Sequence, residues 1–368
     1  MKLRSSIAYT RVMEAVRRGM RSAIALFVLA ASCIAGARAQ VMESGPSPVL
    51  NLQVPGGSVI VRAWDLPEVS IDGPASLSLR TVPPAVVERR LPRRVTLWAQ
   101  RIMTPDGPTV LPAEDFVLPP LPAGDHPGFL VRSDDGGGTT IISVPRETAV
   151  IIARIRQGML RLDGLRGTTF VAHVGRGRIV LHDVAGTGFV QVERGPILAT
   201  GSIFARLRAR TAAGNLVFER CDAQQIEASS VLGSVLYDDG RFEPGLARFT
   251  SQYGNVVLGV AHGNGATIAA QGSEDRLFTS FAQGTPVERR DGDVRATVGG
   301  GGPVVTASSR FGQVLLYDGS LRDHPRLAQR VPLAARFLRM PARRPLAPTR
   351  PPPLRRRAPP PPARLRRL

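Results

Sequence analysis

Cysteine is nearly missing from this chain of 368 residues, which holds Cys33 and Cys221 alone. Cys33 falls inside the N-terminal export signal argued below, so the exported chain keeps one cysteine and has no internal disulfide. Cys221 reads as a small buried residue near the end of a strand; a reactive or intermolecular thiol is the alternative. Lysine occurs once, at Lys2, and all other basic side chains apart from the histidines are arginine. Histidine is sparse (His126, His173, His182, His262 and His324), and no HxH or HExxH spacing exists, which removes the zinc-hydrolase pattern. The histidines read as exposed strand residues. No GxSxG, no Cys–His pairing and no dinucleotide fingerprint in a strand–helix context occurs. Asp134-Asp135-Gly136-Gly137-Gly138 lacks the acidic spacing of a calcium loop and reads as a hairpin turn. Gly299 to Gly302 has no Lys-Ser/Thr behind it and reads as a loose turn rather than a phosphate loop. No catalytic, cofactor-binding or metal-ligating set is therefore expected.

The apolar run Ala23 to Ile34 is too short for a membrane span of about 20 residues. Arg4, Arg11, Arg17, Arg18 and Arg21 precede it, and Ala37-Arg38-Ala39 follows as a small-x-small cleavage site before Gln40. Residues 1–39 thus read as a secretory signal, with an uncleaved anchor as the alternative. The expected location is the periplasm, the cell surface or the medium.

The formal charge of +19 is carried by the two ends. Residues 1–39 hold seven basic residues and one acid, and residues 326–368 hold thirteen arginines and no acid. The body, residues 40–325, is balanced at 28 basic against 28 acidic. A nucleic-acid-binding fold carries its basic patch on the fold itself, so nucleic acid is not an expected partner. From Pro341 onward the chain has ten prolines and nine arginines, including Arg355, Arg356 and Arg357. Such a tail cannot bury a core and is expected to be disordered, with polyproline II character. It reads either as a cationic arm for anionic envelope polymers or lipid headgroups, the one expected membrane contact, or as a solvated tail without a partner.

What the sequence does have is a recurring pattern of glycine, any residue, apolar, any residue, apolar. It appears at Gly158, Gly177, Gly195, Gly214, Gly233, Gly254 and Gly312, and the first six glycines are 18 to 21 residues apart. A fixed period of this size predicts a solenoid in which each repeat is one coil stacked on the next. Strand alternation then points Leu160/Leu162, Ile179/Leu181, Ile197/Ala199, Leu216/Phe218, Val235/Tyr237, Val256/Leu258 and Val314/Leu316 inward after the glycine. Before it, Ala153/Ile155, Ala172/Val174, Val190/Val192, Ala209/Thr211, Ala228/Ser230 and Phe249/Ser251 point inward. Gly272 and Gly292 are expected to open later, looser coils. The expected fold is an all-β parallel β-solenoid (β-helix or β-roll) of about 18–21 residues per coil. Its divisions are a signal (1–39), an N-terminal β cap with the first rungs (40–145), the regular solenoid (146–320), a linker (321–340) and the Pro/Arg tail (341–368).

On the surface, Asp163, Asp183, Asp222, Asp238, Asp239 and Asp318 recur at the corner after each post-glycine strand. Aspartate beside glycine is a turn residue because its carboxylate accepts from nearby backbone N–H groups. Arg208, Glu227 and Arg248 form a charge ladder on three adjacent coils. Arg154, Arg156, Arg208 and Arg210 project outward and make a candidate patch for acidic glycans; a solvated sheet face is the alternative.

Val54-Pro55-Gly56-Gly57-Ser58-Val59-Ile60-Val61-Arg62-Ala63-Trp64-Asp65 resembles the first rung of the bacterial β-strand-repeat putative adhesins, a family with a domain of unknown function. Ser143-Val144-Pro145-Arg146 and the Gly-Asn/Ser-apolar rungs are similar to it too, as are repeats in the head domains of autotransporter adhesins. The resemblance covers about residues 48–318. It implies an exported, β-helical, non-enzymatic protein and transfers no catalytic residue. The sequence thus points to a non-catalytic envelope or surface protein, adhesin-like or a scaffold, with an anionic envelope polymer or a protein as partner. The alternative is a carbohydrate-active β-helix enzyme acting on acidic polysaccharide.

Overall fold

The computed structural model describes residues 40–329, apart from residues 46, 75, 85, 88–93, 98–99, 112, 122–125, 134–136 and 273. The signal, most of the linker and the Pro/Arg tail lie outside the described residues. The chain is nearly all β. One 22-stranded sheet network carries the fold, with two small two-stranded sheets beside it.

The pairing is mostly parallel, and its register follows the glycine pattern. Strand Val150–Asp163 pairs with Thr168–His182 so that Gly158 lies opposite Gly177, Leu160 opposite Ile179 and Leu162 opposite Leu181. On its other edge the same strand pairs with Val49–Trp64, with Gly57 opposite Gly158. Further along, Ile197–Thr200 pairs with Leu216–Glu219, which pairs with Val235–Phe242 and then Val256–Val260. Parallel register puts like on like, so the inward columns become continuous seams. All fourteen post-glycine positions expected inside are buried in one apolar cluster. The pre-glycine positions are buried as well, Thr211, Ser230 and Ser251 included.

Two corners shape each turn of the chain. At the first, glycines pack backbone on backbone: a Cβ on Gly177 would lie 1.7 Å from the Gly158 carbonyl oxygen, and one on Gly214 would lie 2.0 Å from that of Gly195. At the second, a column of residues takes positive φ: Gly164 (70°), Asp183 (52°), Gly201 (58°), Arg220 (51°) and Asp239 (51°). Glycine and aspartate adopt this region at low cost, which accounts for aspartate there.

The ends of the stack depart from chain order. The strands Ala266–Gln271 and Leu277–Ser280 do not follow Ala247–Ser251 and Val256–Val260 in space. Val304–Ser309 and Val314–Asp318 slot in between and pair in parallel on both sides. Gly312 therefore packs on Gly254, 58 residues earlier, and Gly272 opens the outermost level. The strand after Gly292, Asp293–Val298, pairs antiparallel with Ala266–Gln271, so it is not the parallel coil the sequence suggested. The N-terminal end repeats the arrangement. Val49–Trp64 sits between Val150–Asp163 and an outer level made of Gly128–Ser133 and Thr139–Pro145. Gly138 consequently lies on the glycine corner rather than in a hairpin turn, its carbonyl 2.6 Å from where a Gly57 Cβ would be.

Both outer levels are closed by antiparallel strands. Leu77–Val82 pairs with Gly128–Ser133, and Glu68–Asp72 with Thr139–Pro145. Val287–Arg290, exposed throughout, is the last strand at the other end. A short charged edge strand resists pairing with a second molecule.

Two patches of the outward surface are covered. Val87, Phe116 and Leu118 pack on Val150, Ile152, Val171 and Phe189, with the Phe116 and Phe189 rings 5.5 Å apart. The Gln100–Thr104/Gly107–Leu111 hairpin reaches on to Tyr253, whose hydroxyl donates to Thr104 Oγ1 at 3.2 Å. Leu321 and Leu327 cover Leu236, Val257, Leu315 and Tyr317.

Candidate functional site

The glycine corners come in two kinds. From Gly195 onward, a hydroxyl three residues ahead of the next glycine caps the glycine carbonyl below it. Thr211 donates to Gly195 (3.1 Å), Ser230 to Gly214 (2.9 Å), Ser251 to Gly233 (2.8 Å) and Ser309 to Gly254 (2.7 Å). The residue after the glycine completes a ladder: Asn215 Oδ1 accepts from Ser234 N–H, Ser234 Oγ from Asn255 N–H, and Asn255 Oδ1 from Gln313 N–H. Polar side chains here serve the stack.

The first corners lack this device. Ile155, Val174 and Val192 stand where the hydroxyls stand later, and Met159, Arg178 and Pro196 stand where the Asn/Ser ladder runs. Gly158 and Gly177 take φ of 140°, and each strand runs unbroken through its glycine. Beside them lies an open groove of about 760 Å³, floored by Gly57, Gly158 and Gly177 and walled by Pro55, Ser58, Arg156, Met159, Arg178 and Pro196. Its lining contains no carboxylate, imidazole or thiol. Such a surface can bind, and it offers no general acid or base.

The arginines expected on the surface separate. Arg154 and Arg156 are exposed, and Arg156 lines the groove. Arg208 is half-buried and bonds Glu227 at 3.0 Å; Glu227 lies opposite Arg248, so the charge ladder is in register. Arg210 is buried at 7% exposure. It shares a column with Arg154, but His173 and Gln191 intervene. The four therefore do not form one solvent-facing patch. Arg355, Arg356 and Arg357 lie outside the described residues. Arg176, Arg178 and Arg194, all exposed and beside the corner glycines, were not singled out from the sequence. Their signal was available: arginine directly before or after a column glycine, on successive repeats.

Four of the six corner carboxylates, those of Asp163, Asp183, Asp238 and Asp318, are engaged. Asp163 pairs with Arg161 (2.7 Å) and His182 (2.6 Å), and Asp183 with Arg166 (2.7 Å). Asp238 is buried and accepts from Tyr317 Oη (2.8 Å), Leu321 N–H (2.6 Å) and Ser320 Oγ (3.3 Å). Burial raises its pKa, partly offset by these bonds. Asp318 accepts from Ala282 N–H at 3.1 Å. Four histidines are tied down rather than freely exposed, His324 meeting the Asp318 carbonyl at 2.7 Å. His182 bonds Asp163, His126 bonds the Ser47 carbonyl (2.8 Å), and His173 meets Glu193 at 3.3 Å. Burial lowers the His173 pKa against the pull of Glu193, and Arg154 lowers it further. Cys221 is fully buried, and burial pushes its thiol up to about 12. Among the described residues no group of three or more His, Cys, Asp or Glu is placed to hold a metal ion, and no helix is long and apolar enough to cross a membrane.

No protein-family model matches the chain, and no curated protein matches it in sequence. Among solved structures, a putative cell adhesion protein from Clostridium sporogenes ATCC 15579 aligns over 77% of this chain and 99% of its own, at 8% identity and a TM-score of 0.24. A likeness at that level leaves fold and function to be argued from the chain itself.

Proposed function

We propose that this chain is the parallel β-solenoid of an exported, non-catalytic cell-envelope or surface protein, adhesin-like or a scaffold, that binds polymers or proteins through its outward faces. Residues 40–145 supply its N-terminal cap, and the Pro/Arg tail adds a cationic tether. The glycine-to-glycine register of successive parallel strands supports the solenoid. The observation that carries the binding reading is the groove at the first glycine corners: exposed arginine, bare backbone and no acid–base group. Turn carboxylates engaged with arginine, histidine and backbone weigh against a glycosidase, which needs two carboxyl groups facing a scissile bond.

The test is co-sedimentation of residues 40–368 and 40–340 with purified envelope polymers at low and high salt. Binding by both is the expected result. Binding by the longer chain alone, lost in salt, would assign recognition to the tail and overturn the role given to the strand faces.

A further inference from the structure

We infer that the groove at the first glycine corners is a binding site for a linear carboxylated polysaccharide, gripped by Arg156 and Arg178, which line it, and extended by Arg154, Arg176 and Arg194 on the same strands. The inference deepens the proposed function and rests on it for the protein's export.

The five arginines sit on three successive hydrogen-bonded strands, Val150–Asp163, Thr168–His182 and Ala185–Arg194. All five are exposed. None has a carboxylate within ion-pair reach among the described residues; Arg178 Nε makes a 3.2 Å contact with Met159 Sδ instead. Glu193 is engaged with His173.

The corner itself does not demand arginine. In register with Arg176 and Arg194 stands Ala213, and in register with Arg178 stand Pro196 and then Asn215, which the later strands use internally. Arg176, Arg178 and Arg194 are therefore surplus to the packing.

The geometry selects the ligand. Parallel strands are about 4.8 Å apart, so the arginines form a track about 10 Å long in the stacking direction. A track suits a polymer with repeated charges. The guanidinium fork matches a carboxylate with two parallel hydrogen bonds. Gly57, Gly158 and Gly177 remove side chains from the floor, so a sugar ring can approach the backbone. Single-stranded nucleic acid needs stacking platforms, and no aromatic residue lines the groove.

The experiment uses the full-length chain with its tail unchanged, titrated with polygalacturonate, neutral dextran and an oligothymidylate at about 0.15 M salt, where screening acts beyond about 8 Å. Three variants are compared with wild type. Arg156→Ala/Arg176→Ala/Arg178→Ala/Arg194→Ala removes the grip. Arg206→Ala/Arg241→Ala/Arg290→Ala/Arg295→Ala removes the same charge from exposed sites elsewhere. Gln157→Trp keeps the charge and fills the groove. Circular dichroism checks the fold of each. Polygalacturonate binding is expected to weaken about tenfold or more in the first and third variants and less than about twofold in the second. Equal losses in the two quadruple variants, or unchanged binding by Gln157→Trp, would overturn the site. Tighter, groove-dependent binding of the oligothymidylate would overturn the ligand class. If wild type binds none of the three polymers, this inference fails while co-sedimentation with envelope polymers still decides the proposed function; if wild type binds and the groove variants bind equally well, this inference alone fails.

Discussion

The sharpest constraints act on single residues. Gly177 combines a φ of 140° with a Cβ position 1.7 Å from the Gly158 carbonyl oxygen, whereas Gly167 has a φ of 64° and open space around it. Gly177→Ala is expected to cost about 4 kcal/mol or more, and Gly167→Ala about 1–2 kcal/mol, read from urea unfolding. Similar costs would show that the backbone column is not in contact. Cys221 follows the second corner, where Ser202 stands one level earlier; Ser202 Oγ donates to the Thr200 carbonyl and Cys221 Sγ to that of Glu219. Cys221→Ser is thus expected to change stability by less than about 1 kcal/mol. The native thiol, with its pKa pushed up to about 12, should resist alkylation at Cys221 until the chain unfolds, as peptide mass spectrometry would show. Asp238 sets a pH dependence. Its folded pKa is raised above the ordinary 3.8, so the folded state holds the proton more tightly than the unfolded one. Its contribution to stability therefore falls as pH rises from the ordinary value through the raised one. Asp238→Asn should flatten that part of the urea-midpoint profile; an unchanged slope would assign it to other groups.

At the scale of elements, the chain covers its outer faces unevenly. The Phe116 contact with Phe189 holds Glu114–Val117 against a sheet that is already closed by its own hydrogen bonds. Phe116→Ala is expected to raise hydrogen exchange in 94–117 while leaving 168–181 unchanged, because the loss is local. Spread of the change into the parallel strands would mean that this segment is part of the core. The register of the central strands was legible in the sequence, since like residues recur at fixed steps from each glycine. The covering segments were not. Phe116 and Val87 carry no periodic signal, and their partners Val171 and Phe189 alternate with inward residues exactly as solvent-facing positions would.

For the molecule as a whole, the two ends of the described chain are interleaved. Residues 49–64 and 304–318 each lie between two other levels and pair on both edges. Chain ends usually fray because few contacts hold them. Here amides in 49–64 and 304–318 should exchange as slowly as those in 168–181, measured by hydrogen exchange with mass spectrometry. Fast exchange in either would show that the end levels open independently. The arrangement also makes the decisive contacts distant in sequence, which slows folding.

The sequence by itself determined the all-β character, the glycine column and the inward seams. Each of these is a local rule repeated at a fixed interval, so a single strand already contains it. Tertiary structure alone decided which strand is whose neighbour at the ends, because several apolar strands of the same alternation compete for each edge and only packing of the whole set ranks them. It also decided which outward arginines stay in water. Arg154 and Arg210 are equivalent in pattern, yet one is exposed and the other buried, because exposure depends on what folds over a side chain as well as on which way it points.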